Sequence, residues 1–205
     1  FGMIVILCYL VVAAFANFIA PFGEADTSFP AYLEWGAQGH IFGTDQIGRD
    51  VLARIVSGAR TSVVVAVGSV VVAIAIGGLI GASIAFVGGV LDRLVSALLV
   101  GVIAMPAVVV AISVVTGLGR SLSSVWVALT VVAIPVFALI ARSQASTVVQ
   151  RDHVLAAAAM GARPVRILLK EVLPNLLPLA ATYLGVGVAI GVAAEGGLAV
   201  LGLSV

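Results

Sequence analysis

The chain has 205 residues, 62% of them apolar and 9% charged, with a formal net charge of +1. A soluble globular domain is roughly half apolar and a quarter charged, so this composition excludes a domain bathed in water on all sides. A net charge this small provides no field for holding nucleic acid.

The apolar residues come in long runs, which predicts an all-α integral membrane protein. Met3 to Ala20 is the first run able to cross a hydrocarbon core of about 30 Å. Ala14 and Ala16 form a small-x-small pair, as before a signal-peptide cleavage site. No basic stretch precedes the run, and the later spans favour a retained helix. Cys8 stands alone inside it, so there is no disulfide framework. The chain starts at Phe1 and stops in an apolar, glycine-rich stretch, which reads as part of a longer polypeptide.

Residues 21–62 form the longest polar region. Pro21, Pro30 and several glycines predict irregular structure in its first half. Thr44 is the expected cap of a short amphipathic surface helix, in which Val51, Leu52, Ile55, Val56 and Ala59 recur at helical spacing. Arg49, Asp50 and Arg60 have two readings, one with arginines on lipid headgroups and one with contact to an extracellular protein or the mouth of a pathway.

The second span is expected over Ser62–Val87, with Gly77 and Gly81 as a close-packing stripe. Gly88 and Gly89 end it, and Asp92–Arg93 read as an acid–base pair at a short turn. The third span, Leu94–Leu118, is interrupted by Pro106, which predicts a kink or break near mid-membrane. The fourth is expected over Val125–Ala141, with Pro135 inside. The fifth runs from Leu176 to Ala194 and is ended by Glu195-Gly196-Gly197. Pro106 and Glu195 are candidates for the pathway or its gate, because ionisable groups and helix breaks inside a membrane are costly. The plainer alternatives are a simple bend and an interfacial position.

Alternate loops share a side of the membrane. Residues 88–93 and 142–175 carry six Lys/Arg together, against four in 21–62 and 119–124, which places the 142–175 loop in the cytoplasm. In that loop Asp152 is the expected N-cap and Val154–Met160 a helix. Gly161 fits the C′ position, and Pro164 the first turn of a second helix that Pro174 stops or kinks. Ala156 to Ala159 lack bulk, so a partner's groove can approach the backbone. Arg151, Arg163, Arg166 and Lys170 can pair with acids at its edge. A plain basic connector is the alternative.

The stretch VLAAAAMGARPVRILLKEVLPN, Val154 to Asn175, resembles the cytoplasmic loop of permease subunits of bacterial ABC importers. Ala156 and Ala157 match the family's alanines, Gly161 its glycine, Ile167 its isoleucine, and Leu173-Pro174 its end. Asn175 matches the asparagine common in the peptide branch, while Leu155 stands where the family usually has glutamate. FGTDQIGRDVLARIVSGARTS, Phe42 to Ser62, is similar to the stretch before the core spans in C-subunit-type dipeptide/oligopeptide permeases. Gly43-Thr44-Asp45, Gly48-Arg49-Asp50 and Gly58-Ala59-Arg60 all fit. EGGLAVLGL, Glu195 to Leu203, resembles the family's segment between its last two helices.

The resemblance implies a type I ABC importer transmembrane domain with five of six spans visible. It divides into a first helix plus extracellular segment, residues 1–41, and a permease core, residues 42–205. It implies a multi-pass protein of the bacterial cytoplasmic membrane, forming half of a pathway for di- or oligopeptides. The implied partners are a homologous second permease, an extracellular substrate-binding protein, membrane lipid, and two ATPase subunits that carry ATP and Mg2+ and grip the 142–175 loop. Nickel or another small solute is an alternative cargo, since fold kinship does not fix substrate. From the residues themselves, a secondary transporter or channel, or a structural membrane subunit, stays open.

The chain's only lysine, Lys170, lies in no Gly-x4-Gly-Lys-Ser/Thr loop, so no ATPase motif and no cofactor of its own are expected. No catalytic constellation is read. His40 and His153 fall in loops separated by spans, and neither has a Cys partner for a metal site.

Overall fold

The computed structural model describes residues 4, 9, 11–20 and 22–203. Six residues of the expected first span, Cys8 among them, and also Pro21 lie outside these residues. The chain divides into two compact units, Phe1–Val64 and Val65–Val205.

In the first unit, α1 (Ala16–Ile19) precedes an irregular segment with a 3-10 turn at Ala37–Gly39. The long helix α2 (Val51–Val87) follows. The expected surface helix and second span are therefore one helix. No proline and no side-chain cap separates Ser57 from Ser62, and the apolar content downstream carries the helix on. Its cap is also corrected. Ala53 N–H donates to Asp50 Oδ1 at 2.6 Å, so Asp50 fills the role expected of Thr44.

In the second unit, Gly88 separates α2 from α3 (Gly89–Ile103), which therefore begins before the expected Leu94. A break at Ala104–Pro106 leads to α4 (Ala107–Leu118), and the two axes meet at 86°. Pro106 fits this break because it offers no N–H to continue α3. Next come α5 (Leu122–Val149), with Ser121 as its N-cap, and α6 (Asp152–Ala159). After α7 (Pro164–Ile167), a π-turn at Leu168–Val172 leads directly into α8 (Leu173–Val200).

Pro174, expected to stop or kink the helix, does not stop it. Its ring would press on the carbonyl one turn back, at Lys170, and the wider π-turn at that place takes up the misfit. Glu195-Gly196-Gly197 does not break the last helix either. Two glycines cost about 1 kcal/mol each in a helix, which is less than the several kcal/mol of leaving backbone groups unbonded in an apolar medium.

Among the described residues, three helical stretches are long and apolar enough to cross a membrane: Val51–Val87, Leu122–Val149 and Pro164–Val200. The bent pair α3 and α4 makes a fourth if it counts as one span. The all-α architecture of a multi-span membrane protein is thus confirmed. Many large apolar side chains of these helices stay exposed, including Val186 and Ile190 of α8. Such surface is costless against lipid tails, so helix contacts here rest on close packing. Gly77 and Gly81 of α2 lie against the α5 backbone. A Cβ built on Gly81 would come within 2.1 Å of Ala138 O. Gly187 and Gly191 of α8 likewise face Val70, Phe137 and Ala66.

Candidate functional site

The 151–176 segment folds as one piece with the end of α5. Val148, Val154, Ile167, Val172 and Leu176 share an apolar cluster with Ala82, Ala141 and Ala145. Gly161 turns the chain between α6 and α7 at φ 79°, a left-handed conformation that side chains other than glycine enter at a cost of about 1 kcal/mol or more. Ala162 N–H donates to Ala157 O at 3.1 Å and closes this corner.

Asp152 is not the N-cap of α6. Arg151 takes that position with no side-chain cap, and Asp152 lies in the first turn, where a negative charge suits the helix dipole. Of the expected site residues here, Ile167 is buried and serves the cluster. Ala157 and Leu173 are half-buried. Asp152, Ala156, Gly161, Arg163, Arg166, Pro174 and Asn175 are exposed. Asn175 Nδ2 donates to Glu171 O at 2.6 Å, so its amide steadies the π-turn.

The outer face of this piece is unusual for a connector. Leu155, Met160 and Val165 are 55%, 81% and 66% exposed. Among the described residues, Arg151, Arg163, Arg166 and Lys170 enter no ion pair within the chain. Exposed apolar side chains in one short segment with unpaired cations are the composition of a docking surface. His153 is exposed beside it.

The motif at residues 43–50 is a local fold of its own. Gly43 and Gly48 have φ of 70° and 84°, and a Cβ on either would come within 2.1 Å of a carbonyl oxygen, Leu33 O or Phe29 O. Thr44 Oγ1 donates to Pro30 O at 2.6 Å and accepts from Leu33 N–H at 2.9 Å. Asp45 accepts from the N–H groups of Ile47 and Arg49, from Arg49 Nε at 2.9 Å and from Arg54 Nη1 at 2.8 Å. The Arg49 Nε is therefore held by Asp45.

Asp50 is buried and accepts at Oδ2 from His40 Nδ1 at 2.6 Å. The rings of Phe22 and Phe29 lie 4.3 and 4.5 Å from the His40 ring. A carboxylate held this way cannot touch an outside protein, so Asp50 belongs to the fold. The sequence reading missed His40, because a histidine ten residues before its partner carries no periodic signal. Arg60 lies on the exposed side of α2 and is engaged in an interaction.

The backbone N–H of Arg49 is the largest of the influences that hold the Asp45 carboxyl down at about 2, below the ordinary 3.8. A depressed carboxylate stabilises the loop fully above pH 3.8, and that support is lost as pH falls toward 2. Hydrogen exchange at the Ile47 and Arg49 amides is therefore expected to accelerate across this window. In Asp45→Asn it should show no such step.

Asp92 does not pair with its neighbour Arg93. It pairs with Arg142 of α5, whose Nε donates to Oδ1 and whose Nη2 donates to Oδ2 at 2.6 Å. Of the two pathway candidates, Pro106 is exposed at the α3–α4 break and Glu195 is buried within α8. A crevice of about 390 Å³ opens between α2, α5, the π-turn and the start of α8, lined by apolar groups such as Ile74, Phe137, Leu169 and Leu177. None of its lining residues carries a polar side chain to orient a cargo.

Residues 73–205 match the family described as the inner membrane component of binding-protein-dependent transport systems. The chain belongs to this ABC transporter permease family. It is 34% identical over 203 residues to the dipeptide transport system permease protein DppC of Alkalihalophilus pseudofirmus, covering 98% of this chain and 67% of that one. It is 30% identical over 182 residues to the di/tripeptide transport system permease protein DppC of Pseudomonas aeruginosa, covering 86% and 60%. It is 29% identical over 206 residues to the glutathione transport system permease protein GsiD of Escherichia coli, covering 97% and 66%. The permease chain thus spans 60% to 67% of the length of these relatives.

Proposed function

We propose that this permease chain forms half of the translocation pathway of an ATP-driven importer for di- and oligopeptides in a bacterial cytoplasmic membrane. Its fold is then a type I importer domain of six spans. The observation that carries the reading is the 151–170 piece, a rigid helix pair with exposed apolar side chains and unpaired cations. Two ATPase subunits binding ATP and Mg2+ dock there, on the cytoplasmic side. Asp152, Ala156, Ala157, Gly161, Arg163 and Arg166 lie at or beside the contact. Ile167, Leu173, Pro174 and Asn175 hold its shape.

A homologous second permease completes the pathway, and an extracellular binding protein delivers cargo near the 43–60 segment. ATP-driven closure of the ATPases brings the two docking pieces together and opens the pathway outward. Pro106 and Glu195 are the pathway or gate positions of this chain. Peptide cargo is supported by the relatives, whose names specify dipeptides, di- and tripeptides, and glutathione.

Gly161→Leu tests the docking. A Cβ at Gly161 meets nothing within 4 Å, so the substitution acts through the backbone corner and the docking face, not through a core clash. The complex is expected to lose at least about tenfold in ATP-dependent uptake while the chain still inserts. Normal ATPase co-purification together with normal uptake would sink the assignment.

A further inference from the structure

We propose that the Asp92–Arg142 ion pair is the joint through which displacement of the docking piece reaches the broken span α3–α4. The inference rests on the importer reading for what moves the docking piece, and on the structure for what the movement reaches.

The two halves of the broken span are held in different ways. Ala111 and Val115 of α4 are buried in an apolar cluster with Val125, Ala128 and Leu129 from the first half of α5. Helix α3 has no buried residue among those described, and it contributes nothing to the three apolar clusters. Its strong attachment is polar: Asp92, in its first turn, takes both donors of the Arg142 fork. Ser96 Oγ supports Asp92 from one turn on, at 3.4 Å.

Arg142 is built into the part of α5 that moves with the docking piece. Its neighbours Ala141 and Ala145 are buried in the cluster that also holds Val154, Ile167 and Val172. The α2 backbone presses on the same turn, since a Cβ on Gly81 would come within 2.7 Å of Arg142 N. Any shift of the docking piece therefore carries Arg142 with it. A bidentate guanidinium–carboxylate contact fixes orientation as well as distance, so it transmits rotation where a lone apolar contact would slip. The far end of α3 is the 86° corner at Ala104–Pro106, with α4 anchored beyond it. Movement of α3 at Asp92 must flex that corner.

The test uses the complete complex in proteoliposomes, with uptake and ATP hydrolysis read from the same vesicles. Asp92→Asn and Arg142→Gln are expected to assemble normally and hydrolyse ATP at near the native rate. Uptake per ATP should fall about tenfold. The exchange D92R/R142D should recover most of it. Asp92→Glu keeps the charge while lengthening the link, and should give an intermediate loss.

An unchanged uptake-to-ATP ratio in the single variants would overturn the joint. So would a loss explained by the amount of assembled complex, or an exchange variant no better than the singles. A second readout does not depend on ATPase partners. Spin labels at Met105 and Val165, both exposed, should show one narrow distance in the native chain in lipid discs and a broadened one in Asp92→Asn. An unbroadened distance would also overturn the joint. Absence of binding-protein-dependent ATP hydrolysis in native vesicles would count against the importer reading alone.

Discussion

Gly81→Ala is expected to destabilise the chain by about 3 kcal/mol, at the upper end of what overpacking costs. The smallest possible side chain already fails, because its Cβ would come within 2.1 Å of Ala138 O and 2.7 Å of Arg142 N. Both contacts are backbone of α5, which cannot rotate away as a side chain tip could. The helices would have to separate, and with no hydrophobic drive between helices in lipid, separation forfeits their packing along the whole contact. Gly78→Ala is the control. It lies on the same helix with nothing within 4 Å, so it should be neutral or gain up to about 1 kcal/mol of helix propensity. Unfolding midpoints in detergent for the two variants check the prediction. Equal midpoints would contradict the α2–α5 contact.

Asp50→Ala is expected to cost about 3–5 kcal/mol in the stability of the 22–56 fold, since one change breaks a buried pair and removes a helix cap. Oδ1 leaves Ala53 N–H without its acceptor, and Oδ2 leaves His40 Nδ1 buried without one. Asp50→Asn keeps an acceptor for the cap and should lose less. His40→Ala should be nearly as harmful as Asp50→Ala, because it strands a buried carboxylate. The double variant should cost clearly less than the sum of the singles. Protease susceptibility of the segment, measured against denaturant, gives these differences. A charge reversal at Asp50 would abolish uptake by misfolding, so it cannot report on contact with a binding protein.

Much of the architecture was legible in the residues. The long apolar runs identify the spans, Pro106 marks the break between α3 and α4, and Gly161 with Pro164 marks the corner of the 151–176 segment. Boundaries failed where local signals competed with the surroundings. Glu195-Gly196-Gly197 and Pro174 look like helix ends in isolation. Backbone groups in an apolar setting stay hydrogen-bonded instead, and a π-turn absorbs the proline. In the candidate site, the matching motif at 43–50 suggested outward contacts. The folded structure turns Thr44 and Asp50 inward, while Asp45 pairs with Arg49 and Arg54.

The sequence by itself determined that this chain is a helical membrane protein, because composition and helical period are properties of short windows; its kinship with permeases rests on the resemblance of its loop motifs. The tertiary structure alone decided which polar groups meet: Asp50 with His40 at a separation of ten residues, and Asp92 with Arg142 at fifty. A charge in an apolar chain must find a partner, but the sequence does not say which. That choice follows from where the packed helices bring the backbone, and here Gly81 lets α2 and α5 close at the turn that presents Arg142.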